Sequence, residues 1–104
     1  MSMLNSILLE GFVSIGPTKS DNGGCSFCVK TTQTWGDEEP EVTITSQLPV
    51  EAFGKLAKEC LTVLHVGTGV RVVGSLTSSI ETVFIHAEHI EVKRISRPSQ
   101  RKSY

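Results

Sequence analysis

The chain has 104 residues, 38% of them hydrophobic and 20% charged, which suits one small globular domain and excludes a disordered or collagen-like chain. Its net charge of −1 conceals an asymmetry. Lys93, Arg94, Arg97, Arg101 and Lys102 lie in the last dozen residues with no acid among them, so residues 1–92 hold five basic residues against all eleven acids, a balance of −6. No apolar run approaches the roughly 20 residues that span a bilayer, no basic-then-apolar leader opens the chain, and three cysteines are too few for a disulfide scaffold. The expectation is a reduced, cytoplasmic protein.

Residues 4–13 are rich in Ile, Leu, Val and Phe and predict a first strand that stops before Gly16-Pro17. Ser20-Asp21-Asn22-Gly23-Gly24 is a turn cluster, since Asn and Gly accept the positive φ of tight turns. Residues 27–32 predict a second strand with β-branched Val29, Thr31 and Thr32. Trp35-Gly36-Asp37-Glu38-Glu39-Pro40 reads as an exposed hairpin loop, and Val42-Thr43-Ile44-Thr45 alternates as a half-buried strand should. The period then changes. Val50, Phe53, Leu56, Ala57, Cys60, Leu61 and Leu64 fall on one helical face, with Pro49 suited to the first turn and Gly67 to the position past the end. Residues 70–76 and 82–92 are again strand-like, joined by a short polar link. Three strands, one helix and two strands do not alternate as a parallel sheet requires. The expected fold is all-β, a small closed five-stranded barrel with one α-helix between strands 3 and 4. It would occupy residues 1–92, with 93–104 as a flexible basic tail.

Two motifs carry a family resemblance. Asn5-Ser6-Ile7-Leu8-Leu9-Glu10-Gly11 resembles the opening strand of the bacterial single-stranded DNA-binding proteins. Phe53-Gly54-Lys55-Leu56-Ala57 resembles the signature that opens their helix, and from Gly54 to Leu76 the family pattern continues without a gap. The resemblance spans residues 4–92 and implies the five-stranded OB-fold. It also implies sequence-independent binding of single-stranded DNA in replication, repair or recombination, no catalysis, no cofactor, and self-assembly into a homodimer or homotetramer. Three departures stand out. The chain ends in basic residues instead of a long extension with an acidic tip, so replication or repair proteins are not expected to be recruited through such a tip. The link between the last two strands, residues 77–81, is too short for the family's aromatic-bearing loop. Gln47 and Leu48 stand where the third strand often carries an aromatic. The run Ile85-His86-Ala87-Glu88-His89-Ile90-Glu91 is also similar to the last strand of primosomal replication protein B.

Single strands are held by aromatic faces that stack on bases and cations that neutralise phosphates. Trp35, in a polar loop, is the candidate stacking residue; the competing reading folds it over the core as a lid. Phe53 is either a core residue of the helical stripe or, as the resemblance implies, a DNA contact. Phe12, Phe27 and Phe84 sit in strand patterns and read as core. For phosphates, Lys55 matches the family's signature lysine, while Lys30 and Arg71 are placed by strand position, Arg71 alternating with Val70 and Val72 and so pointing outward. Lys19 ranks behind them. Each lone cation also fits a plain solvated charge.

Rival chemistries are poorer fits. Cys25-x2-Cys28 and His86-x2-His89 have Cys2His2 composition, but strand residues three apart face opposite sides unless a turn or bulge intervenes, so no metal is expected. Cys60 reads as core. The acids of residues 37–41 read as a solubilising loop, and no nucleophile, base or carboxylate pair converges into an enzyme site. Two alternatives remain in view. One is an OB-fold protein-interaction module, or an accessory factor like primosomal replication protein B, without strong DNA binding. The other is RNA binding, because stacking does not distinguish the sugar.

Overall fold

The computed structural model describes residues 3–36 and 41–93; the loop tip at 37–40 and the tail beyond Lys93 lie outside them. Five strands are present: β1 (Ile7–Lys19), β2 (Cys25–Trp35), β3 (Val42–Ala52), β4 (Gly69–Ser78) and β5 (Val83–Val92). The helix α1 (Gly54–Val63) sits between β3 and β4. The strands close in the order β1-β2-β3-β5-β4, with every pair antiparallel except β3 with β5. This is the expected all-β OB-type barrel with one inserted helix. No helix among the described residues is long and apolar enough to cross a membrane.

The core is built mostly from β-branched residues, which pack well on a pleated surface. Val13, Val29, Val50, Val70, Val72 and Ile85 are fully buried and Phe27 joins them. Each such side chain contributes about 1.5–3 kcal/mol by leaving water. The helix closes one end of the barrel with Ala57 and Cys60, followed by Leu64. Cys60 meets Cys25 of β2 there, thiol to thiol. Burial pushes the Cys60 thiol up to about 12, with the neighbouring Cys25 and Glu59 adding to the effect.

Several boundaries differ from the sequence reading. Strand β1 does not stop before Gly16-Pro17. Bulges between Val13 and Ile15 and between Ile15 and Thr18 absorb the irregularity, and the strand runs on to pair Lys19 with Cys25. The turn that follows is the expected one, with Gly23 at φ +85. The helix starts at Gly54, so Pro49 and Val50 belong to β3. Val50 and Ala52 alternate into the core as strand residues do, and that burial outweighs their fit to the helical stripe. Pro49 is tolerated because β3 meets β5 only at Val50 and Glu51, so no ladder bond to β5 is lost at the proline. Gly67 does not cap the helix. Leu64 ends it in an extended conformation, and Gly67 lies in the turn to β4, donating its N–H to the Val13 carbonyl.

Candidate nucleic-acid interface

Strands β2 and β3 pair in unbroken register from Cys25↔Ala52 to Trp35↔Val42. Strand β1 pairs with β2 only as far as Phe12↔Lys30, and β5 pairs with β3 only at Val50 and Glu51. Beyond those points the hairpin leaves the barrel as a two-stranded arm. Alternation gives the arm two different faces. One carries the cross-strand pairs Lys30 with Gln47, Thr32 with Thr45 and Thr34 with Thr43. The threonine pairs bond hydroxyl to hydroxyl at 3.2 and 3.1 Å. The other face continues the barrel's inner side and ends in Trp35, Val42 and Ile44.

Trp35 is therefore the last residue of β2, not a loop residue, and it has apolar neighbours. It is 49% exposed, and Val42 and Ile44 are similarly open, so the indole rests on the arm and not over the core. The sequence reading missed Val42 and Ile44 as members of this surface. Their signal was the period-two alternation of residues 42–45, which said that one side is apolar without saying that the strand had left the barrel there. Where arm and β1 diverge they enclose a cleft of about 1170 Å³, bordered by Leu8, Glu10, Lys30, Gln33, Leu48 and Arg71.

A second ring surface lies at the far end of the hairpin. The 11 residues of β3, at about 3.3 Å each, put Phe53 roughly 35 Å along the strand from Val42, the partner of Trp35. Phe53 is the N-cap of α1, outside the buried helical stripe, and its ring stacks on His86 of β5. Gly24 makes room for it: a Cβ there would meet the Phe53 ring edge at 2.7 Å. The first turn of α1 holds no acid and its cap supplies no side-chain bond, so uncapped N–H groups and the exposed Lys55 make that end electropositive. Among the described residues no carboxylate pairs with Lys55 or Lys30.

Arg71 does point outward, between buried Val70 and Val72, but its charge is already matched. Its Nε donates to Glu10 Oε2 at 2.8 Å, and Nη1 lies 3.8 Å from Glu91 Oε1, which ties β1, β4 and β5 together across the outer surface. Lys19 is exposed at the end of β1.

Of the three phenylalanines read as core, only Phe27 is buried. Phe12 and Phe84 are half-buried on the outer side, because Gly11 and Val13, and Ile85, take the inward positions beside them. Cys25 points inward and Cys28 outward, as alternation requires. The histidines break that rule. An irregularity in the β4–β5 register between Val73 and Gly74 inserts an extra residue on β5, so His86 and His89 face the same outer side. His89 is 3.4 Å from Glu91, and no three His, Cys, Asp or Glu among the described residues converge to hold a metal.

The model of the single-strand binding protein family matches residues 4–83. Among solved structures, the small single-stranded DNA-binding protein from Streptomyces coelicolor is 27% identical with a TM-score of 0.73, over 88% of this chain and 95% of that one. The Plasmodium falciparum single-stranded DNA-binding protein, in complex with single-stranded DNA, is 19% identical with a TM-score of 0.75, over 90% and 98% of the two chains. A deletion mutant of the Thermus aquaticus single-stranded DNA-binding protein gives 21% identity and a TM-score of 0.72, over 88% of this chain and 51% of that one. Comparison with the sequences of curated proteins finds no match. The barrel topology, the β2–β3 arm and the match over residues 4–83 lead to one assignment: this chain belongs to the single-strand binding protein family.

Proposed function

We propose that the chain binds single-stranded DNA without sequence preference during replication, repair or recombination. Bases stack on Trp35 and Phe53, Lys55 neutralises phosphates beside Phe53, and Lys30 does so from the face of the arm opposite Trp35. The observation that carries the site assignment is Trp35, a half-exposed indole at the end of an arm that leaves the barrel. Stacking is tolerant of sequence because every base has a π face, and rings at the two ends of the 11-residue β3, roughly 35 Å apart along the strand, suit a run of several nucleotides. Arg71, whose charge Glu10 and Glu91 already match, is assigned to holding the sheet together and not to phosphate. The chain acts by binding and is not an enzyme.

The partner is single-stranded DNA, with a second copy of the chain as the other expected partner. Over Ile7–Glu10 only β4 lies alongside β1 among the described strands, and Leu8 beside that open edge is exposed. Such an edge invites pairing in a homodimer or homotetramer. Light scattering that returned a single 11.3 kDa particle at micromolar concentration would refute this. The basic residues at 94–104 would add salt-sensitive attraction. A cytoplasmic setting goes with this reading. Titration of labelled single-stranded DNA, the same sequence as RNA, and duplex DNA at two salt concentrations tests it. Tight, salt-dependent binding of the single strand with weak duplex binding is expected. No affinity for any of the three would favour a protein-interaction module instead.

A further inference from the structure

The outer surface of β5 carries rings that this assignment has not used. Phe84 and His86 flank the buried Ile85, so both project outward, roughly 7 Å apart along the strand. The His86 ring lies against Phe53 with centroids 5.7 Å apart and planes 29° from parallel. Stacked rings in contact are separated by about 3.5–4 Å between planes, so a pair this far apart by centroid is laterally offset. Neither ring fully covers the other, and Phe53 remains 37% exposed. The Gly24 position also lies close against the edge of the Phe53 ring. The ring is held in place before any ligand arrives, which reduces the ordering cost of binding.

We infer that Phe53 and His86 form one composite stacking platform, and that His86, once protonated, adds a cation beside the DNA phosphates. This rests on the single-stranded DNA reading above. The motifs that include His86 did not place it beside Phe53, because its ring joins Phe53 only through the β3–β5 closure that pairs Glu51 with His86. Among the described residues, its strand neighbours and α1 bring three charged groups to its side of the barrel. Glu51 stands beside it on β3, Glu88 is two residues on along β5, and Lys55 is in the first turn of α1. Its β4 partner, Ser75, is uncharged, and so is Ser26, the β2 partner of Glu51. A phosphate brought next to the imidazole adds negative charge to this setting and favours the proton. Binding of DNA should therefore take up a proton, and affinity should rise as pH falls through the histidine range.

The test uses the full chain and a labelled oligothymidylate, whose bases do not titrate between about pH 5.5 and pH 8. Anisotropy titrations at both pH values and two salt concentrations are run on the wild type, His86→Phe and His86→Ala. The wild type should bind several-fold more tightly at the lower pH, with a salt slope steeper by about 0.7. His86→Phe should keep the affinity at pH 8 and lose both gains. His86→Ala should lose about fivefold or more at pH 8, a part of one base–ring stack. Should His86→Phe fail to fold, His86→Gln serves for the loss of the pH gain. Unchanged affinity of His86→Ala at pH 8 overturns the composite platform. A pH gain that survives in the phenylalanine or glutamine variant belongs to another group, such as His65, His89 or the α-amino group, and overturns the role of the cation. A wild type that binds at neither pH overturns the single-stranded DNA reading itself, whereas binding without these changes overturns this inference alone.

Discussion

Replacing Trp35 with alanine separates a binding residue from a structural one. The indole is 49% exposed, sits at the last pair of the hairpin register, and touches no part of the buried core. Its structural contribution is the cross-strand contact with Val42, worth about 0.2–1 kcal/mol for an aromatic facing a β-branched residue. Its contribution to binding, as one base–aromatic stack, is about 1–3 kcal/mol, or roughly 5- to 150-fold in affinity. The two scales differ enough to be read apart. Trp35 is the only tryptophan, so its emission reports one position. Titration with single-stranded DNA should quench it, with duplex DNA quenching it much less. Trp35→Ala should lose affinity in that range in an anisotropy titration while its urea midpoint moves little. A large drop in the midpoint with unchanged affinity would refute the argument and reassign the indole to packing.

Four further outcomes follow from the same structure. Lys55→Ala should flatten the salt slope of single-strand binding by about 0.7, because one phosphate contact is lost. Arg71→Ala should leave that slope alone and cost up to about 1 kcal/mol in denaturant titration, the usual worth of an exposed ion pair. Gly74→Ala should be strongly destabilising, on the order of 3 kcal/mol, because its Cβ would lie 2.1 Å from the His86 carbonyl oxygen and the β4–β5 ladder would have to part; a urea midpoint like that of the wild type would contradict this. Cys25 and Cys60 have raised thiol pKa values, so above about pH 9 the unfolded chain loses protons that the folded chain keeps. Stability should be flat through neutral pH and then fall as pH rises, by at most about 1.4 kcal/mol per pH unit for each thiol. Urea melts between pH 7 and 10 would check the decline, and Cys60→Ala should make it shallower.

What local chemistry dictates was legible in the sequence. The order of elements, the turn at residues 20–24, the buried Phe27 and Cys60, and the outward direction of Arg71 all follow from alternation, helical spacing or turn residues, which act over a few positions. The family resemblance at residues 5–11 and 53–57 drew on the same local patterns. Element boundaries were less legible: Val50 satisfies both a helical stripe and a strand alternation, and only barrel closure decides between them. The site was legible in its members but not in its geometry. A lone tryptophan in a polar stretch and a lysine after Phe53-Gly54 could be picked out one at a time. That Trp35 shares a face with Val42 and Ile44 depends on how far the β2–β3 hairpin outruns its neighbours. That Arg71 is matched by Glu10 and Glu91 depends on three strands lying side by side. His86 reaches Phe53 only because β3 and β5 pair in parallel at Val50 and Glu51, bringing together residues more than thirty positions apart in sequence. Periodicity specifies which side of a strand a residue takes; what lies across from it is decided by register and closure, which no local pattern encodes.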